Sequence, residues 1–171
     1  MPRPAREAPA RATAGGNYAA RLVTPFAVVG IRTAGERLSE IVYLPRATPP
    51  LAPRNALAEK ACRQIARYVD DPQFRFSLPL ALEGTPFRRR VWDAIAAIPC
   101  GRTATYGDLA RALASAPRAV GAACGDNPLP LVVPCHRVVA AGGLGGFMHA
   151  SGGDPLRIKR WLLAHEDAHG G

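Results

Sequence analysis

"TYGDLARALASAPRAVGAACG", residues 105–125, is the stretch that decides how this chain folds. Thr105 stands three residues before Asp108, a variant of the capping box, in which side chains and backbone amides of a first helical turn satisfy one another. Leu109 and Leu113 then give a short helix its apolar face. After Ala114-Ser115-Ala116, Pro117 can open a second short helix, Arg118 to Cys124, closed by Gly125. Two short helices joined by a tight turn are the outline of a helix-turn-helix.

Upstream, Thr85-Pro86 reads as an N-cap with proline at the first helical position. Phe87, Val91, Ile95 and Ile98 line one face of that helix, which ends before Pro99-Cys100-Gly101. Further toward the N-terminus the pattern changes. "FAVVGIRT" (26–33) and "LSEIVYLP" (38–45) read as two strands joined through "AGER", a hairpin. "ATPPLAPRN" is a proline-rich loop. Leu57, Ala61, Ile65 and Tyr68 recur at helical spacing between Ala56 and Val69, and "FRFSLPL" (74–80) reads as a third strand. Downstream, "AAGGLGGF" is a glycine-rich loop. Asp154-Pro155 then caps a last helix whose Ile158, Trp161, Leu162 and His165 share a face. The expected class is α/β (α+β). Residues 1–17 form a disordered basic tail, 18–82 a small α/β lobe, and 83–171 a helical lobe.

The chain of 171 residues carries a formal charge of +9. Such a balance speaks about partners rather than fold. It points first to nucleic acid, with an anionic membrane surface or an acidic protein as the alternatives. Arginine dominates, Lys60 and Lys159 being the only lysines, and its planar fork suits phosphate. Cys62, Cys100, Cys124 and Cys135 form no C-x-x-C pair, and the Cys and His residues lack metal-ligand spacing, so neither a disulfide scaffold nor a zinc site is expected. The N-terminal stretch has arginine but no apolar core of a secretory signal. No apolar run reaches the length of a membrane span. The expected location is the cytoplasm, with reduced thiols and no cofactor.

Chemistry concentrates in "NPLPLVVPCHRVV", residues 127–139. A thiol near its ordinary pKa is only slightly ionised at neutral pH, and a neighbouring base or cation raises the thiolate fraction. Adjacent residues in a strand point to opposite faces, so Cys135 and His136 make a working pair only with a turn at Pro134 or a bridging water. Without either they are a buried cysteine and a surface histidine. Arg118 is a solvated side chain or one that a recognition helix presents to DNA. Arg88-Arg89-Arg90 spans most of a helical turn and reads as a solvated face with one phosphate contact at most. Tyr106 is core with its hydroxyl near solvent, and Glu166 a helix-end carboxylate unless His136 lies beside it.

Pro134-Cys135-His136-Arg137-Val138, "PCHRV", resembles the acceptor motif of the O6-alkylguanine-DNA alkyltransferases. The segment from Arg118 to Val138, "GRTATYGDLA" and "IKRWLLAHE" (158–166) are similar to that family's recognition-helix-to-cysteine segment, first helix of the helix-turn-helix and C-terminal helix. The resemblance is close over 86–166 and holds in outline before that. It implies a ribonuclease-H-like N-terminal lobe and a winged-helix-like C-terminal one. The implied partner is double-stranded DNA carrying O6-alkylguanine, less often O4-alkylthymine, bound by a monomer without an obligate protein partner.

The family transfers the alkyl group irreversibly to its own cysteine. On that resemblance Cys135 is the acceptor, His136 its general base through a water, Glu166 the group that orients the imidazole, and Tyr106 a donor to N3 of the leaving guanine. Arg118 enters the stack where the base has flipped out, and Thr105, Tyr106 and Ala119 meet DNA. Asn127 ties the recognition helix to the active-site turn, the carbonyls near Cys135 and Val138 read the exocyclic amine, and Arg137 is structural. Phe147 lies in the loop that closes over the base, where "GGFMHASGGDP" (145–155) is less like the family. Two other classes stay open: a lesion-binding module that transfers nothing, and a cysteine hydrolase, which would need an oxyanion hole and a separate base.

Overall fold

The computed structural model describes residues 17–148 and 154–169. Three strands, β1 (Ala20–Val23), β2 (Val28–Ala34) and β3 (Arg37–Leu44), form an antiparallel sheet in that order. The β2–β3 hairpin is the one expected, turning at Gly35 with φ +59, a backbone region that glycine enters without a Cβ clash. The third strand is not the expected one. Residues 74–80 contribute a single parallel bridge, Leu38 to Leu80, because Pro79 has no amide to donate to a longer ladder. β1 takes the sheet position instead.

Helix α1 (Ala56–Asp70) starts where the Asn55 side chain accepts the Ala58 N–H at 2.8 Å, and it buries Ala58, Ala61, Ile65 and Tyr68. Helix α2 (Pro86–Ala96) is capped by Thr85 and buries Val91, Trp92 and Ile95. The capping box forms as read: Thr105 accepts from Asp108 N–H, and the Asp108 carboxylate accepts from Thr105 N–H at 3.0 Å. It opens helix α3 (Tyr106–Ala112). A turn that includes Ala114 at φ 51 leads to α4 (Pro117–Gly125). Gly125 is the last residue of that helix rather than its closing cap, which is Asp126. The final helix, α5 (Asp154–His169), begins where expected.

Two features hold α4 in place. The Trp92 indole donates to the Ala123 carbonyl at 2.9 Å, and Arg88 pairs with Asp126 at 2.8 Å. Arg90 donates to the Leu113 carbonyl at the turn between α3 and α4. Thus two of the three consecutive arginines brace the helix pair, and only Arg89 is left as solvated face in the way expected of all three.

Residues 127–134 do not form a strand. They fold as turns, with Leu131 at φ 78, a left-handed conformation uncommon for a residue with a Cβ. Then Cys135–Arg137 makes one 3-10 turn, followed by β5 (Val138–Val139), which pairs parallel with β4 (Ala104–Thr105). One continuous buried cluster runs from Ile31 of the sheet through Ile65, Ile95 and Val120 to Cys135 and Leu162. Among the described residues no helix is long and apolar enough to cross a membrane. Residues 1–16, 149–153, 170 and 171 lie outside the described residues, so nearly all of the expected basic tail and part of the expected base-covering loop are not described.

Candidate active site around Cys135

The turn that Cys135 and His136 needed is present. Pro134 precedes the 3-10 turn, and the Arg137 amide closes back on the Pro134 carbonyl at 2.9 Å. Successive side chains on such a turn point about 120° apart instead of to opposite faces as in a strand. Both residues are buried, His136 completely.

A carboxylate lies behind the imidazole. His136 Nε2 is 2.7 Å from Glu166 Oε1 on α5. Burial pushes the Glu166 carboxyl up, but the contacts to His136 and Arg137 outweigh this and hold it at about 2. An ionised carboxylate only accepts hydrogen bonds. Nε2 therefore carries the proton, and Nδ1 has a bare lone pair. Burial, joined by the Arg137 and Lys159 charges, also lowers the His136 pKa against the pull of Glu166, so the ring is neutral. Nδ1 is buried with no hydrogen-bond partner among the described residues.

Arg137 ties the loop to the backbone as read, donating Nη1 to the Ile98 carbonyl at 2.7 Å. It does more than that. Nε donates to Glu166 Oε2 at 2.9 Å and Nη2 to Oε1 at 3.0 Å. Such a bidentate pair fixes both position and charge. The Tyr68 hydroxyl donates to Oε1 at 2.8 Å from α1, which the helical spacing had shown only as a core position.

Burial pushes the Cys135 thiol up to about 11, offset in part by the Asn127 side chain and the Lys159 ammonium. Cys135 is thus a protonated thiol and not the preformed thiolate that a neighbouring base suggests. Asn127 is buried, donating Nδ2 to the Val133 carbonyl at 2.9 Å and accepting the Leu129 amide at 3.0 Å. It joins the end of α4 to the turn before the cysteine.

Lys159 is the residue the sequence reading missed. It is completely buried and donates Nζ to the Val138 carbonyl at 2.7 Å and the Gly146 carbonyl at 2.8 Å. Burial lowers its pKa to about 8, against the pull of Cys135 and Cys124. The only signal was a rare lysine in an arginine-rich chain, inside the apolar stripe of α5. The Val138 carbonyl, expected to read an amine, is bonded to Lys159, with its second lone pair remaining.

Tyr106 is half-buried and donates to the Gly146 carbonyl at 3.2 Å. Burial raises its pKa to about 12, which keeps it a donor. The glycine-rich loop approaches it closely: a Cβ on Gly145, at φ +73, would sit 2.9 Å from the Tyr106 ring and 3.1 Å from Ala140 N. Phe147 is buried beside Tyr43, ring centroids 6.0 Å apart. Arg118 stands exposed in the first turn of α4, Ala119 is half-buried, and the Thr105 hydroxyl is engaged in the cap. The structure thus gathers Cys135, His136, Glu166, Arg137, Asn127 and Val138 in one buried region, with Tyr106 and Phe147 at its loop. Arg118, Ala119 and Thr105 lie on the helix pair. No group of three or more His, Cys, Asp or Glu suited to a metal occurs among the described residues.

Comparison with known proteins gives this arrangement relatives. The family profile described as "6-O-methylguanine DNA methyltransferase, DNA binding domain" matches residues 86–168. A methylated-DNA–protein-cysteine methyltransferase of Archaeoglobus fulgidus is 40% identical over 105 residues, 61% of this chain and 71% of that protein. The protein of the same name from Shigella flexneri is 51% identical over 92 residues, 53% of this chain and 52% of the relative. The chain thus spans about half the length of that curated relative. The crystal structure of Mycobacterium tuberculosis OGT in complex with DNA superimposes with a TM-score of 0.72 at 31% identity, covering 87% of this chain and 92% of that one.

Proposed function

Since the chain belongs to the O6-methylguanine DNA methyltransferase family, we propose that it repairs DNA by moving the alkyl group of O6-alkylguanine onto Cys135, once per molecule. The observation that carries this reading is the buried thiol backed by a neutral His136, whose free Nδ1 is aimed by an ionised Glu166. O6 of guanine inside a duplex is out of reach of a buried cysteine, so the nucleotide is flipped out first. Unstacking costs a few kcal/mol, and less for a weakened alkylguanine pair.

The Cys135 S–H proton then passes through a water to His136 Nδ1, leaving a thiolate and an imidazolium that Glu166 stabilises. The thiolate attacks the alkyl carbon. An S–C bond forms, the C–O6 bond breaks, and its electron pair leaves with the guanine. Tyr106 turns its hydroxyl from the Gly146 carbonyl toward N3 of the departing base and donates a hydrogen bond to it, so that the charge leaving with the guanine is stabilised until solvent protonates the released base. The product is a thioether, which explains single use: nothing in the step regenerates the thiol. A thiol held up at about 11 stays unreactive toward stray electrophiles until the flipped base reaches it and the relay engages.

The remaining roles follow the same placement. Arg118 on α4 fills the gap in the stack, Thr105 and Ala119 lie along the DNA, and exposed arginines supply salt-sensitive phosphate contacts. The N-terminal sheet with α1 is a ribonuclease-H-like lobe and α3–α4 a helix-turn-helix of winged-helix type. The protein acts as a cytoplasmic monomer. The substrate is mainly O6-alkylguanine, with O4-alkylthymine second. The test is a duplex oligonucleotide carrying O6-methylguanine, incubated with protein and digested to nucleosides. Guanine restored in proportion to protein, then a plateau, is expected. Unchanged O6-methylguanine with retained binding would mean a module that holds the lesion without transfer.

A further inference from the structure

Three side-chain polar atoms among the described residues are buried without a hydrogen-bond partner: Tyr18 Oη, Tyr43 Oη and His136 Nδ1. Tyr18 lies apart, under the Arg32 guanidinium at 4.4 Å. The other two belong to one neighbourhood. Tyr43 is on β3, the strand whose Ile41 amide donates at 2.9 Å to the Pro128 carbonyl of the loop leading to Cys135. Its ring is confined on two sides, by Phe26 edge-on at 6.0 Å and Phe147 at 6.0 Å. The direction of its hydroxyl is therefore set by packing. Burial, then the nearby charges of Cys135 and Glu166, raise its pKa well above that of an ordinary phenol. Tyr43 thus keeps its proton, and the Glu166 charge acts on it as it does on His136.

We propose that Tyr43 is a positioning residue for the proton relay, its hydroxyl and the free Nδ1 of His136 together holding the water that takes the Cys135 proton. This rests on the reading of Cys135 as the acceptor. A buried water is stable with two to four polar partners. Here the water oxygen accepts from Tyr43 O–H and from Cys135 S–H, and one of its protons is donated to Nδ1. As the thiol proton moves onto the water, the water's own proton moves to Nδ1. Tyr43 donates throughout and neither gains nor loses a proton. Without it the water is held from fewer sides and its orientation toward Nδ1 loosens. The assignment also gives the N-terminal sheet a part in the chemistry of the C-terminal turn.

The measurement is the rate of Cys135 carbamidomethylation by iodoacetamide against pH, read by peptide mass spectrometry, with transfer from O6-benzylguanine alongside. Tyr43→Phe keeps the ring and should slow both at neutral pH by about fivefold to tenfold, the kinetic size of one hydrogen bond, with the profile displaced to higher pH. In a His136→Ala background the same change should add less than about twofold, because the two residues act through one water. Replacing Tyr43 with 2,3,5-trifluorotyrosine, a stronger donor of similar shape, should displace the profile to lower pH. An unmoved profile in both variants, or an equal loss in both backgrounds, overturns the proposal. Should the unaltered protein leave O6-methylguanine DNA unrepaired while its iodoacetamide profile still responds to Tyr43, the alkyltransferase reading fails and the relay stands.

Discussion

The surroundings of Cys135 and the α3–α4 helix pair handle charge in opposite ways. Around Cys135, Glu166, Arg137 and Lys159 are drawn into the interior and each is met by several partners. On the helix pair, Arg118 is presented to solvent and the helices are held by a cap, an indole and arginine braces at their back. In the first region charge organises the protein itself, so stability and chemistry are lost together. In the second, charge is available to a partner, and function can be removed while the fold is kept.

The largest effect is expected at Glu166. Glu166→Ala leaves Arg137 and His136 buried without their acceptor and should cost about 3–5 kcal/mol in urea unfolding, the range for breaking a buried pair. The pH dependence has a definite sign. The folded pKa of about 2 lies below the unfolded value near 4.5, so the contribution is complete above the unfolded value and is lost as pH falls from there toward 2. Glu166→Gln should flatten that part of the stability curve. An unchanged acid limb would contradict the ionised carboxylate.

Lys159→Met keeps the stem and removes the ammonium, taking its donor from the buried Val138 carbonyl and leaving the Gly146 carbonyl with the Tyr106 hydroxyl alone. We expect a loss of about 1–3 kcal/mol and slower transfer, since the 138 and 146 backbones then separate. A stability unchanged with activity lost would make Lys159 a chemical group and not a clamp.

Arg118→Ala should change stability by less than about 0.5 kcal/mol, as for an exposed residue. Repair of duplex DNA should fall at least tenfold more than transfer from free O6-benzylguanine, because only the duplex needs a stack refilled; such a ratio is about 1.4 kcal/mol. Equal losses on the two substrates would break the contrast between the regions.

What the sequence showed follows the same division. The helix pair was legible because its determinants are local: Thr105 with Asp108, and Pro117, each act within one turn, as Thr85 before Pro86 does for α2. The buried region was legible only as a list of residues. Cys135 and His136 are adjacent in any conformation, and the 3-10 turn is what keeps them from opposite faces. Glu166 reaches His136 across thirty positions, and Tyr68 reaches Glu166 across ninety-eight; no periodicity encodes such pairs. The place of Lys159 was not legible, since its burial depends on the Val138 and Gly146 carbonyls, which other segments supply. Residues 74–80 have the apolar content of a strand, but Pro79 lacks the amide that a longer ladder needs.

The central claim is that the buried Cys135 is the alkyl acceptor. Its most direct test is to incubate the protein with duplex DNA carrying O6-(trideuteromethyl)guanine and to map the label by peptide mass spectrometry. The account predicts a single labelled methyl on the peptide holding Cys135, and none in Cys135→Ala. Label on Cys124 or any other residue, or an unlabelled protein still bound to the lesion, would contradict it.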